Sequence, residues 1–336
     1  MPASPAQEAA HKPSLAPTNV VGIIRLEGTD MKEAGSQTKM LPWSPATDDP
    51  LILRNVLLAT DFSNYSARAL SHALGIAARY AATLHLFHCI DPAPYNMGAP
   101  DAVQTACEAA WRDMHRLEWD LRSRGLAKDV EVKLRVEAAN LPTVLPEIAR
   151  DLDLGLIVVG THGRTGWRKM ALGSVAEIVV DHAPCPVLTV GPSTDRNRLE
   201  QFGPESILFA SDPSARSKLA ESYALSLARK YNSHLTVANV LEDRAGRVLA
   251  EVSRFEWSES GLRDTTLEIE PAKPPQLATE IGTESDLILQ VADDAAADLI
   301  VLTVPAAHRF SNRFLSTNSY RVVCEAPCPV LTVRAG

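Results

Sequence analysis

Residues 154–174 read LGLIVVGTHGRTGWRKMALGS, and this stretch decides the fold of the chain. Residues 154–159 are a short apolar run rich in β-branched side chains, which predicts a buried parallel strand. Residues 175–180 are apolar at helical spacing, and Ser174 is predicted to cap the start of that helix. This arrangement favours phosphate binding: a strand ends at a glycine, a loop with more glycines and three cations follows, and then a helix begins. Backbone N–H groups and the dipole of the helix attract negative charge. On these residues alone, a plain strand–loop–helix connection is the alternative.

Strands and helices alternate on both sides of this stretch. The predicted strands are 53–59, 83–90, 130–136, 154–159 and 187–190. The predicted helices lie between them, at 64–80, at 101–124, at 142–151 and after Ser174. Gly125 is placed to end the second of these helices. Five strands alternating with helices indicate a parallel sheet covered by helices on both faces.

The chain contains an internal duplication. Residues 56–63, VLLATDFS, return at 207–214 as ILFASDPS, and residues 183–190, APCPVLTV, recur letter for letter at 326–333. The offset is 151 residues at the start and 143 at the end, so the second copy is eight residues shorter. The sequence therefore predicts two copies of one α/β fold.

Domain boundaries follow from the duplication. We predict one domain at 51–192 and a second at 204–336, separated by a polar run that contains proline and glycine. Residues 1–50 are rich in Pro, Ala, Ser and Thr and are predicted to be a disordered extension. Its apolar patch at 20–24 suggests the hypothesis that this segment adds to a sheet edge or docks on a groove.

The second copy of the glycine loop has lost its glycines. Thr303 and Ala306 stand where the first copy has Gly160 and Gly163, and residues 316–317 read Ser-Thr in place of Gly-Ser. Side chains at these positions hinder the approach of a phosphate to the backbone. The second copy is therefore predicted to keep the fold and to have lost the phosphate site.

Composition excludes several classes of protein. The chain has 336 residues, of which 46% are hydrophobic and 22% charged, as in globular proteins with two ordinary domains. A net charge of −8 argues against a broad surface for nucleic acid. Five cysteines without regular spacing argue against a disulfide framework, and no His/Cys cluster completes a metal site. We find no membrane span and no secretion signal, so we expect a cytoplasmic protein with no membrane partner.

Two features of the sequence give the chain a resemblance to a known family. Asp61 follows the first strand, and the pattern G-x2-G-x9-G-S runs from Gly160 to Ser174. Over residues 51–336 the chain resembles a tandem universal stress protein. The resemblance implies two doubly wound parallel five-stranded α/β sheets of the adenine nucleotide α-hydrolase-like type, each with strand order 3-2-1-4-5. It also implies ATP, with or without Mg²⁺, at the carboxyl ends of strands one and four.

The resemblance implies four residues on the nucleoside side of the site. Ala59 and Thr60 would line the base, and Asp61 would hold the ribose or adenine side. The backbone of Cys89 would meet the adenine. From the residues alone, Asp61 has an alternative role as the cap of the first helix, since Asp212 recurs in the second copy without a glycine loop.

The resemblance also implies a phosphate side. Gly160 and Gly163 would let the loop fold over the phosphates, and Arg164 would be a supplementary cation. Gly173, Ser174 and Val175 at the helix start would present N–H groups and a hydroxyl to the phosphates.

Three functions compete for this site. The sequence has no Gly-Lys pair of a Walker loop, no G-x-G-x-x-G after a strand and no strong catalytic constellation. We therefore favour an ATP-binding regulatory protein with an adenine nucleotide as its partner over an enzyme. The alternatives are a slow ATPase or phosphoryl-transfer enzyme at the same site, and an interaction scaffold without nucleotide. In the resembling family the last strand of the sheet pairs across a two-fold axis, so the two halves are expected to form an intramolecular pseudo-dimer. Whether two chains also form a homodimer stays open.

Overall fold

A twelve-stranded sheet runs through the described part of the chain. The structure is a computed structural model that describes residues 22–25, 51, 53–95, 101–161, 172–192, 194, 203–211, 217–242, 248–258, 261–265, 283–304 and 318–334. The strands are β1 Gly22–Arg25, β2 Asn55–Ala59, β3 Thr83–Ile90, β4 Val132–Ala138, β5 Leu156–Gly160, β6 Val187–Val190, β7 Ser206–Ser211, β8 His234–Glu242, β9 Val248–Ser258, β10 Gly261–Asp264, β11 Leu299–Val304 and β12 Val330–Arg334. The helices are α1 Asn64–Tyr80, α2 Ala102–Ser123, α3 Leu141–Asp151, α4 Ser174–His182, α5 Lys218–Tyr231, α6 Glu284–Asp294 and α7 Asn318–Glu325.

The first half has the predicted topology. Its strands lie in the order β4-β3-β2-β5-β6, and each neighbouring pair is parallel, so the order 3-2-1-4-5 is confirmed. Gly125 follows the end of α2 with φ +69°, as expected of a glycine that ends a helix. The expected cap of α4 is wrong by one residue. Gly173 is the N-cap, and Ser174 is the first helical residue without a capping side-chain bond.

The second half departs from the prediction at its third strand. β7, β11 and β12 are parallel, and β8 is parallel to β7. However, β9 pairs with β8 antiparallel, and β10 pairs with β9 antiparallel. The expected five parallel strands are therefore wrong in this half. Only five residues, 243–247, separate β8 from β9, whereas a parallel neighbour needs a crossover of about a dozen residues or more.

One strand from each half joins the two sheets. β6 and β12 pair antiparallel, with Leu188 opposite Leu331. The hydroxyl of Thr189 donates to the carbonyl of Val330 at 3.1 Å, and the hydroxyl of Thr332 donates to the carbonyl of Val187 at 3.2 Å. Thr189 and Thr332 occupy the same place in the repeat, and both are buried. The strand edges that would otherwise expose unpaired backbone groups are thus covered by each other.

Helices cover both faces of this sheet. The core beneath α1, α2 and α5 lies on one face, and the core beneath α3, α4, α6 and α7 lies on the other. Consecutive residues of β2, from Val56 to Leu58, are therefore fully buried. This explains why the central strands are continuous apolar runs without alternation.

The N-terminal segment contributes one strand. β1 pairs antiparallel with β9, from Gly22 opposite Val252 to Arg25 opposite Leu249. The hypothesis that the apolar patch adds to a sheet edge is confirmed for these residues, which are an exception within the segment predicted to lack structure. The remainder of residues 1–50 lies outside the described residues.

Candidate functional site

The predicted site residues gather where two neighbouring strands end. β2 and β5 are parallel neighbours, with Ala59 opposite Val159. Asp61 follows the end of β2 and Gly160 ends β5, so the structure brings both to one edge of the sheet, although 99 positions separate them. Carboxyl ends of parallel strands are the usual place for ligand crevices in such folds.

Asp61 is held in a turn before α1. One carboxylate oxygen of Asp61 accepts a hydrogen bond from the N–H of Ser63 at 3.0 Å. Partial burial opposes ionisation, but hydrogen bonds from Ser63 and Ser66 outweigh it and lower the pKa of Asp61. The carboxylate is therefore charged and oriented at neutral pH.

Ser63, rather than Asp61, caps α1. The side chain of Ser63 accepts a hydrogen bond from the N–H of Ser66 at 3.2 Å. The alternative in which Asp61 caps this helix is therefore wrong. A serine directly before the first residue of a predicted helix is an N-cap signal, and it could have been found in the sequence.

Hydroxyl groups connect the end of β2 to α1. Thr60 is buried; its hydroxyl donates to the hydroxyl of Ser66 at 3.1 Å and accepts from the N–H of Phe62 at 3.1 Å. The hydroxyl of Ser66 in turn donates to the carbonyl of Ser63 at 2.9 Å. This chain of bonds fixes the turn that carries Asp61.

Phe62 has an unusual backbone conformation in the same turn. Its φ is +62°, in the left-handed region that bulky side chains rarely adopt. Its ring lies against His88 with 4.8 Å between centroids, and His88 Nδ1 donates to the carbonyl of Thr60 at 2.7 Å. Because a carbonyl only accepts, this bond places a proton on Nδ1. Sequence reasoning did not assign either residue to the site.

Gly160 has a packing reason to lack a side chain. A Cβ at this position would lie 3.0 Å from the carbonyl carbon and oxygen of Tyr65 and 3.3 Å from the nitrogen of Ser66. These are backbone atoms of the first turn of α1. The end of β5 therefore approaches α1 more closely than a residue with a side chain allows.

Three residues, Thr161, Leu172 and Gly173, form the base of the glycine loop. Thr161 is buried, and its N–H donates to the carbonyl of Val190 at 3.0 Å. The N–H of Gly173 donates to the carbonyl of Thr161 at 2.7 Å, which brings the two ends of the loop together. The N–H of Leu172 donates to the hydroxyl of Tyr320 at 3.2 Å. The loop base is therefore held by the first-half sheet and by the second half.

The N-terminus of α4 follows directly from the loop base. Ser174 and Val175 are its first two residues, and Val175 is 44% exposed. The first N–H groups of any α-helix have no acceptor within the helix. Glu177 lies in the first turn of α4, and burial, followed by the nearby Asp181 carboxylate, raises its pKa. These N–H groups are the donors that the sequence predicted for a phosphate.

Cys89 lies near the end of β3 and is half-buried. Its thiol donates to the carbonyl of Ala139 at 3.3 Å, and burial raises the pKa of the Cys89 thiol. The thiol is therefore protonated and unreactive at neutral pH. The predicted contact of its backbone with a base stays a prediction.

Two predicted residues, Gly163 and Arg164, lie outside the described residues, as does Asp212 in the second half. A cavity of about 360 Å³ adjoins the Asp61 turn between α1 and α2, and its lining includes Thr60, Phe62 and Arg116. Within the described ranges, no group of three or more His, Cys, Asp or Glu side chains is arranged to hold a metal ion. No helix described here has the length and apolarity of a membrane span.

Comparison with known proteins identifies the family. The sequence model described as "Universal stress protein family" matches this chain twice, at residues 53–191 and 204–334. The chain belongs to the universal stress protein family. A universal stress protein of Methanocaldococcus jannaschii is 31% identical over 147 residues, which cover 41% of this chain and 82% of that protein. The crystal structure of a universal stress protein from Archaeoglobus fulgidus is 19% identical with a TM-score of 0.61, covering 84% of this chain and 96% of that one.

The two universal stress protein halves differ at the glycine position of the first loop. Thr303 takes the place of Gly160, and its hydroxyl lies 3.5 Å from that of Ser217. Ser217 is the repeat equivalent of Ser66, yet α5 begins only at Lys218, three residues later in the repeat than α1. Thr303 therefore places a side chain beside the start of α5, whereas Gly160 places none beside α1.

Proposed function

We propose that this universal stress protein binds ATP, with or without Mg²⁺, in its first half and acts as a stress-related regulatory protein rather than as an enzyme. The observation that supports this most is that an oriented, ionised carboxylate and the N-terminus of α4 lie at the same edge of the sheet. A carboxylate suits ribose hydroxyls, which donate hydrogen bonds. A helix N-terminus suits phosphate oxygens.

The nucleoside end of the proposed site lies at the ends of β2 and β3. Ala59 and Thr60 line the base, Asp61 binds the ribose, and the backbone of Cys89 meets the adenine. The rigid turn around Asp61 supports this assignment, because hydrogen bonds from Ser63 hold its carboxylate before any ligand arrives.

The phosphate end of the proposed site lies at the loop and the start of α4. The residues assigned to it are the loop glycines, the loop cation and the first residues of the helix: Gly160, Gly163, Arg164, Gly173, Ser174 and Val175. The exposure of Val175 supports this assignment, since it leaves the helix N-terminus accessible. Gly160 acts indirectly, by letting β5 approach α1.

The second half is proposed to be a structural partner. The pairing of β6 with β12 supports an intramolecular pseudo-dimer, in which one half binds nucleotide and the other completes the sheet. The Thr303 side chain, which stands in the place of Gly160, supports the loss of the site in the second half. Nucleotide binding would then stabilise the whole chain, and this gives a physical basis for regulation.

Thermal unfolding with and without ATP tests the proposal. ATP at about 100 times its dissociation constant is expected to raise the free energy of unfolding by about 2.7 kcal/mol, because it binds the folded state alone. Asp61→Asn should reduce the thermal shift at a fixed ATP concentration, and Asp212→Asn, the matched change in the second half, should leave it unaltered. Millimolar ATP with Mg²⁺ that moves the wild-type transition by nothing measurable would refute the proposal. Equal effects of the two substitutions would refute the assignment to the first half.

A further inference from the structure

A tyrosine of the second half contacts the loop base of the first half. Tyr320 lies on α7, and its hydroxyl accepts a hydrogen bond from the N–H of Leu172 at 3.2 Å. The side chain of Leu172 is 6% exposed and belongs to the same apolar cluster as Val322 and Val323 of α7. The backbone N–H of Leu172 is thus anchored on the second half, and its side chain is buried in an apolar cluster to which both halves contribute.

This anchor acts directly on the start of α4. Leu172 precedes Gly173, the N-cap, and the N–H of Gly173 is held by the carbonyl of Thr161. The first-half sheet therefore fixes one of these two consecutive N–H groups, and α7 fixes the other. The direction of the first helical turn, and of its N–H groups, depends on both.

The residue type at position 320 suits a site for anions. In the first half the repeat-equivalent position is Glu177, so a carboxylate stands where the second half has a phenol. Burial raises the pKa of Tyr320, while the bond from Leu172 lowers it, and the net shift is upward. Tyr320 is neutral at physiological pH and anchors the loop base without adding negative charge near a phosphate.

We infer that Tyr320 is a positioning residue of the nucleotide site, through which the second half sets the orientation of the α4 N-terminus and so the affinity for phosphate groups. This inference rests on the proposed function. It assigns the second half a share in binding at a site that it does not itself contain.

The test compares two tyrosine variants with two ligands. Tyr320→Phe removes the hydroxyl, which accepts from Leu172 and also hydrogen-bonds with the side chain of Cys324. Tyr223→Phe is the matched control, because Tyr223 is a partly buried second-half tyrosine that packs beside Leu188 and Leu331, where the two halves join. Dissociation constants for ATP and for adenosine are measured by calorimetry for the wild type and both variants, and the folded fraction is checked by thermal unfolding.

Tyr320→Phe is expected to weaken ATP binding about fivefold, which corresponds to about 1 kcal/mol, and to change adenosine binding by less than about twofold. Tyr223→Phe should leave both constants close to those of the wild type. A general loss of structure would weaken the binding of ATP and of adenosine together, so the ratio of the two dissociation constants separates positioning from stability.

Three results decide the inference. Selective loss of ATP affinity in Tyr320→Phe supports it. Unchanged ATP affinity, or equal loss for ATP and adenosine, overturns it while the proposed function stands. Absence of ATP binding to the wild type overturns the proposed function and this inference with it.

Discussion

Replacing Gly160 with alanine places one methyl group where β5 meets α1. The added Cβ would lie 3.0 Å from the carbonyl carbon and oxygen of Tyr65 and 3.3 Å from the nitrogen of Ser66. These atoms belong to a helix backbone whose first turn is capped by Ser63, so they cannot rotate away as a side chain would. The substitution must move α1 or β5.

The size of the effect follows from these distances. Nonbonded carbon atoms are most stable about 3.5–4.0 Å apart, so the new contact to carbon is about 0.5–1 Å too short. Overpacking of this kind costs about 1–3 kcal/mol. We expect Gly160→Ala to lower the free energy of unfolding by about 2 kcal/mol and the melting temperature by about 4–8 °C.

Urea unfolding without nucleotide measures this effect. Gly191→Ala is the matched control, because a Cβ there would meet the carbonyl oxygen of Ala326 and the hydroxyl of Thr161 at an ordinary 3.8 Å. Its free energy of unfolding should stay within about 0.5 kcal/mol of the wild type. If both variants are equally stable, the close approach of β5 to α1 is not what requires glycine at position 160. Because no nucleotide is present, the assay isolates packing from any role in phosphate binding.

Two further predictions concern stability. Nε of Arg334 donates to the carbonyl of Ala183 at 2.8 Å, and its Nη2 donates to the carbonyl of Val180, so the second half caps the C-terminus of α4. Arg334→Met should therefore lower the free energy of unfolding, measured in urea, by about 2 kcal/mol. Arg334→Lys should restore less than half of that loss, because an ammonium lacks the planar fork of donors. Burial lowers the pKa of His72, although its bond to the carbonyl of Arg68 opposes this. The unfolded chain therefore binds a proton first as the pH falls below about 6.5, and the stability that the neutral histidine contributes above that pH is lost on acidification. In urea unfolding, the free energy of unfolding should decrease less between pH 7.5 and pH 5.5 in His72→Gln than in the wild type. Equal decreases would contradict the role of burial.

The first-half fold could be predicted because its central strands are buried on both faces. Such strands are continuous apolar runs, and the helices between them have their own periodicity, so each element is legible locally. The antiparallel β9 was missed because the repeat invited a copy of the first-half topology. The connection at 243–247 is too short for the crossover that a parallel neighbour of β8 needs, and β9 therefore pairs with β8 antiparallel.

Only part of the candidate site could be predicted from the sequence. Asp61 and Gly160 are predicted from their positions after strands. That Ser63 rather than Asp61 caps α1 is a local feature, whereas the constraint on Gly160 comes from the backbone of Tyr65, 95 positions earlier. Tyr320 had no signal in the sequence, because its partner Leu172 lies 148 positions away.

The sequence by itself determined the α/β class, the duplication and the loss of loop glycines in the second half, because these depend on local periodicity and on residue identity. Only the tertiary structure decided which backbone atoms approach Gly160, and that α7 of the second half holds the loop base of the first. Those features depend on distances between segments far apart in the chain, and the local pattern of residues does not encode such distances.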